Sequence, residues 1–150
     1  MNLRSLTMVG AMLLLAACAT GQTSSTTSGT AAPGSREDFV QNVGDRVFFD
    51  FDKSDIKPEG QQTLQRQAAW LKKYESVKVT VEGHCDDRGT REYNLALGNR
   101  RANAVKRALV ALGIPAGRIT TISYGKERPA VVGDNEAAWA QNRRGVTVIN

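Results

Sequence analysis

From Arg46 onward the apolar residues switch repeatedly between two spacings, and this restricts the chain to folds in which strands and helices interleave. The run Arg46 to Phe51 carries Val47, Phe48, Phe49 and Phe51 between Gly44-Asp45 and Asp52-Lys53-Ser54, which predicts a short buried strand. Pro58 suits a first helical turn, and Leu64, Ala68 and Leu71 recur at helical spacing up to the basic Lys72-Lys73, which predicts a helix over about 58–74. Val77, Val79 and Val81 alternate with Lys78, Thr80 and Glu82, the pattern of a half-buried strand ending at Gly83. A polar loop, His84 to Thr90, leads to the strongest helical pattern. There Leu95, Gly98, Ala102, Val105, Leu109 and Leu112 step by three or four until Gly113 and Pro115 stop them. Ile119 to Tyr124 reads as a strand, Asn135 to Gln141 as a short helix and Val146 to Ile149 as a last strand. The order β-α-β-α-β-α-β implies an α+β fold, an α/β sandwich with helices packed on one face of a mixed four-stranded sheet. No internal repeat is visible, and residues 36–150 read as one domain.

The segment ahead of that domain is an address and a spacer. Residues 1–17 place Arg4 before an apolar run from Leu6 to Ala17, too short for a membrane-spanning helix and ending in small residues as a cleaved signal does. Leu15-Ala16-Ala17-Cys18 resembles the lipobox of bacterial lipoproteins, which implies cleavage before Cys18 and lipid on its sulfur. Read as an ordinary signal, the same segment leaves Cys18 free to pair with Cys85. Ala19, where an inner-membrane lipoprotein usually carries aspartate, implies sorting to the outer membrane. Residues 18–35 are uncharged and rich in Ser, Thr, Gly and Ala, so they cannot bury enough surface to offset ordering and read as a tether. As a flexible coil it spans about 20–25 Å on average and about 60 Å at full stretch.

The formal charge of +5 permits acidic partners without choosing among them. Nucleic acid fits poorly, because the signal sends the chain out of the cytoplasm and the basic residues are not interleaved with stacking aromatics. Enzymatic chemistry fits poorly too. The single histidine, His84, adjoins Cys85, and neighbours on an extended segment point to opposite faces, which disfavours a Cys/His dyad. Gly125-Lys126 lacks the rest of a phosphate loop, and no spacing suits a metal or a cofactor.

The segment Glu82 to Asn94, with Leu97, Arg100 and Arg101, concentrates the remaining chemistry. Asn94, Leu97 and Arg101 fall on one stripe of the long helix, and Asp86 sits in the loop before it. Free amides at a helix start attract anions, a guanidinium clamps a carboxylate, and Asp86 can accept an ammonium. That combination suits a zwitterion with an amine and a carboxylate on one carbon. The same residues also suit an Asp86–Arg101 ion pair that merely fixes loop to helix.

Gly83-His84-Cys85-Asp86, Arg88-Gly89-Thr90, Glu92-Tyr93-Asn94, Leu97-Gly98 and Arg100-Arg101-Ala102 together resemble the signature of OmpA-like peptidoglycan-binding domains. Val47 to Asp52, Ile122 to Gly125 and Asn142-Arg143-Arg144 extend the likeness over about 47–149. The nearest resemblance is to the family's wall-binding lipoproteins of the Tol system. It implies a non-enzymatic lipoprotein anchored in the outer membrane with its domain in the periplasm. There it would hold the diaminopimelate of an uncrosslinked peptidoglycan stem peptide through Asp86 and Arg101. It also implies that Phe51, Asp52, Asn94 and Leu97 line the pocket, and that TolB and other Tol components are partners. By spacing alone, Phe51 reads equally as core and Asp52 as a helix-capping turn. Arg143 is expected to lock the last strand to the long helix, and Cys85 stands where the family usually has Thr or Ala. The alternatives are a wall-anchoring lipoprotein outside the Tol system and, in another class, an envelope enzyme acting on muropeptides.

Overall fold

The computed structural model describes residues 29–150, so the signal, Cys18 and most of the tether lie outside the described residues. The described chain opens on a turn at Pro33-Gly34-Ser35, where Ser35 Oγ accepts the Asp38 amide and caps a short helical segment. That segment, α1 (Arg36–Asp38), runs directly into a π-helical turn (Phe39–Val43) that no periodicity in the sequence announces. A piece this short shows too few turns for a period to be read. It is tied down from outside itself: Trp70 Nε1 donates to Asp38 Oδ2 at 2.9 Å, and the Phe39 ring packs edge-on to Trp70 at 4.9 Å.

The rest follows the expected order: β1 (Arg46–Phe48), α2 (Pro58–Lys73), β2 (Val79–His84), α3 (Arg91–Ala111), β3 (Ile119–Gly125), α4 (Glu136–Asn142) and β4 (Arg144–Ile149). The strands form one mixed sheet in the order β1-β4-β2-β3, with β4 antiparallel to both its neighbours and β3 parallel to β2. A parallel neighbour cannot be reached by a hairpin, and α3 supplies the crossover. Leu64, Ala68 and Leu71 of α2 and Ala102, Val105 and Leu109 of α3 are buried against Val47, Val79, Val81 and Ile119 of the sheet. No helix among the described residues is long and apolar enough to cross a membrane.

Three details differ from expectation. The first strand is half-buried rather than buried: Val47 and Phe49 face the core, whereas Phe48 and Phe51 are exposed. Successive side chains of a strand point to opposite faces, and with Val47 and Phe49 packed into the core Phe48 is left on the uncovered face. On α3 the buried stripe takes Leu97, while Leu95 and Leu112 are only partly covered. Finally, β2 continues through His84, which lengthens its pairing with β4 to the His84–Arg144 register.

Two glycines set how closely α3 crosses the sheet. A Cβ at Gly83 would collide with the Gly98 carbonyl, and one at Gly98 with Ser123 Oγ. Backbone therefore rests on backbone at this crossing. The close approach lowers Leu97 and Arg101 onto the end of β2, beside the loop that carries Asp86.

Candidate functional site

Arg101 is wholly buried, and its guanidinium is spent largely on backbone. Nε donates to the Lys53 carbonyl at 2.8 Å, Nη2 to the Asp50 carbonyl at 3.0 Å and Nη1 to the His84 carbonyl at 2.9 Å. The first two carbonyls flank the turn holding Phe51 and Asp52, and the third ends β2 just before Cys85-Asp86. One side chain of α3 therefore fixes both loops of the site. The direct Asp86–Arg101 ion pair allowed by the sequence is not formed. Two of the five guanidinium N–H groups remain beyond these three bonds.

The partners of Asp86 are instead Arg88 and Arg143. Arg88 Nη2 lies 2.7 Å from Asp86 Oδ2, and Arg88 Nε and its own amide reach Oδ1 at 3.3 and 3.2 Å. Arg143 Nη1 approaches Oδ2 at 3.5 Å. Burial alone raises the Asp86 pKa, but the Arg88 hydrogen bonds and charge, helped by Arg143, outweigh it and hold the carboxyl below its usual range. Arg143 does not lock the last strand to the long helix. It donates through Nε to the Phe49 carbonyl at 2.9 Å and through Nη2 to Glu136 Oε1 at 2.7 Å, tying α4 and the end of β1 to the Asp86 loop.

Phe51, Asp52, Asp86, Asn94, Leu97 and Arg101 converge on one shallow, nearly filled depression, whose lining also includes Cys85, Arg88 and Tyr93. Asn94 is buried and braces the loop, its amide donating to the Arg88 and Thr90 carbonyls at 2.8 and 2.9 Å. Asp52 is exposed and has a positive φ of 57°, tolerable for Asp in a tight turn, but it does not cap α2. Of the first turn of α3, Tyr93 and Asn94 line the depression while Arg91 and Glu92 do not, and the Tyr93 amide already donates to Thr90 Oγ1. Phe51 is more than half exposed, so it is not core.

Arg88 and Trp139 meet at the site without any local signal in the sequence. The guanidinium carbon of Arg88 lies 3.9 Å from the centre of the Phe51 ring and 4.0 Å from that of Trp139, and Trp139 Nε1 donates to Asp87 Oδ1 at 2.7 Å. These contacts join positions far apart in the chain, so no local pattern announces them.

Cys85 is buried, and burial pushes its thiol up to about 11, so it stays protonated at neutral pH. Its Sγ lies 3.2 Å from the Asn94 carbonyl, giving that oxygen a weak donor. His84 is not a loop residue. It ends β2, buried, with Nε2 3.1 Å from Glu82 Oε2. Burial first, and the nearby Arg144 second, hold its pKa below 6.5 despite Glu82.

With the folded pKa depressed, the unfolded chain takes up the proton more readily, so stability is full above 6.5 and declines as pH falls through that value toward the folded pKa. His84 is the chain's single histidine. Urea midpoints are therefore expected to fall between about pH 7.5 and about pH 5.5 in the natural protein, and to be nearly flat in His84→Gln. An equal slope in both would assign the effect elsewhere.

Comparison with known proteins places this geometry. The OmpA family model matches residues 48–143. The peptidoglycan-associated lipoprotein of Agrobacterium fabrum is 59% identical over 122 residues, covering 81% of this chain and 69% of that one. The protein of the same name from Haemophilus influenzae is 45% identical and aligns over 95% of each chain. Among solved structures, the peptidoglycan-associated lipoprotein from Burkholderia pseudomallei is 40% identical, with a TM-score of 0.73 over 77% of this chain and 100% of that one. The C-terminal domain of Helicobacter pylori MotB shares the fold at 22% identity and a TM-score of 0.66 over 71% of this chain and 84% of that one.

Proposed function

The chain belongs to the OmpA family, and from that footing we propose that its domain grips peptidoglycan noncovalently through the diaminopimelate of uncrosslinked stem peptides. It is a binding module of a non-enzymatic family, like the peptidoglycan-associated lipoproteins it resembles. The observation that carries the finer reading is the buried carboxylate of Asp86 at the floor of a depression whose two loops are held by a single arginine. A buried carboxylate calls for a cationic partner, and the free amine of an uncrosslinked stem supplies an ammonium that can take that place. Arg101, which lines the same depression, favours the carboxylate on the same carbon by its charge, and Phe51, Asp52, Asn94 and Leu97 shape the walls. Cosedimentation with purified sacculi tests the reading. The soluble domain is expected to pellet with sacculi and be released by excess muropeptide, and a domain left in the supernatant would refute it.

In this reading the protein is held in the outer membrane by lipid on Cys18, with residues 18–35 bridging to the periplasmic domain. It serves the Tol system, with TolB among its partners. The lipobox-like Leu15-Ala16-Ala17-Cys18 supports the anchor. Intact-mass measurement is expected to give a mature chain beginning at Cys18 and carrying acyl and diacylglyceryl groups. Cys18→Ser should leave the signal uncut or the protein free in the periplasm. A mature chain with an unmodified thiol at Cys18, or a disulfide to Cys85, would overturn the anchor.

A further inference from the structure

Arg88 stands where a bound ammonium would have to stand. Its guanidinium makes the shortest contact to Asp86, and it is drawn from the loop only two residues further on. It leans on the rings of Phe51 and Trp139 rather than being enclosed, and about a third of its side chain meets solvent. The group is therefore held by one charge pair and two ring faces, all renewable by a competitor, and can rotate into water without unfolding anything. The backbone of the loop is held separately, by the Arg88 amide on Asp86 Oδ1 and by Asn94 on the Arg88 carbonyl.

We propose that Arg88 is an internal stand-in for the ligand: it occupies the ammonium seat on Asp86 in the free protein and is displaced when the stem peptide binds. This rests on the function proposed above and adds a specificity device to it. Because Asp86 is buried, a ligand that expels Arg88 without bringing its own cation leaves a carboxylate without its main partner, which is strongly unfavourable. Neutral or acylated stems are thereby excluded, while a free amine exchanges one ion pair for another. The stand-in also lowers the apparent affinity for the correct ligand, since only the fraction of molecules with the seat open can bind.

The test uses the tripeptide L-Ala-D-Glu-meso-diaminopimelate and two readouts. By calorimetry, Arg88→Ala is expected to bind the tripeptide at least about threefold more tightly than the natural protein. By NMR of the natural protein, the Arg88 side-chain protons, displaced upfield by the two rings, are expected to move to the positions of free arginine as the tripeptide saturates. Equal or weaker binding by Arg88→Ala overturns the displacement. Ring-shifted Arg88 signals that persist in the saturated complex do the same, and this second readout does not depend on the variant folding. In both cases binding by the natural protein leaves the wall-binding function standing, whereas no binding by either protein refutes the function and the displacement together.

Discussion

Arg101→Ala is expected to destabilise the domain by about 3–5 kcal/mol, the sum expected for stranding buried carbonyls and emptying a packed site. The side chain is wholly buried and bonds three carbonyls from two separate loops. Truncation strands those oxygens and opens a cavity beneath Phe49, whose ring lies 5.2 Å from the guanidinium carbon. A loss of this size corresponds to a melting temperature lower by roughly 10 °C or more. Arg101→Lys should recover little, since one ammonium cannot span three carbonyls set around a planar fork. The sequence alone leaves both outcomes open, a ligand clamp whose loss spares the fold or an ion pair with Asp86 whose loss weakens it. Near-normal melting of Arg101→Ala together with abolished wall binding would restore the clamp.

Asp86→Ala is expected to do the opposite, removing sacculus binding while costing the fold less. Losing one member of a buried charge contact to a ligand typically costs about 2–5 kcal/mol, so binding should weaken more than about tenfold. The partners left behind can adjust. Arg88 is partly exposed and can turn to water, and Arg143 keeps its shorter bonds to Glu136 and Phe49. The same carboxyl contributes to acid sensitivity. Held below 3.8 in the fold, it adds stability that is present above that value and lost as pH falls through the folded pKa. Cosedimentation and thermal melting of one preparation check both halves, and a variant that melts early while binding in proportion to its folded fraction would make Asp86 structural.

What was legible in the sequence followed from periodicity and from spacing within single elements. Leu64, Ala68 and Leu71 mark the buried face of α2, Asn94, Leu97 and Arg101 mark one stripe of α3, and all six are buried. The stripe correctly pointed to the Asp86 loop because a short loop can only fold back onto the first turns of the helix it feeds. What stayed hidden depends on tertiary distance. Charge type suggests that an arginine near an aspartate pairs with it, yet Arg101 pairs with carbonyls, and carbonyls leave no mark in a sequence. The meeting of Phe51, Arg88 and Trp139 needs β1, the β2–α3 loop and α4 to be brought to one end of the sheet. The half-buried character of β1 depends on only one of its faces being packed against the core, which is decided by tertiary packing and not by its own residues.

The central claim, that Asp86 receives the ammonium of diaminopimelate, is tested most directly by titrating the natural protein with the tripeptide in two forms, one with the free amine of its diaminopimelate and one with that amine acetylated. Acetylation keeps the carboxylate and the peptide but removes the cation. The free form is expected to bind and the acetylated form to bind more than about tenfold more weakly, with Asp86→Ala abolishing the difference. Equal affinity of the natural protein for the two forms would contradict the account.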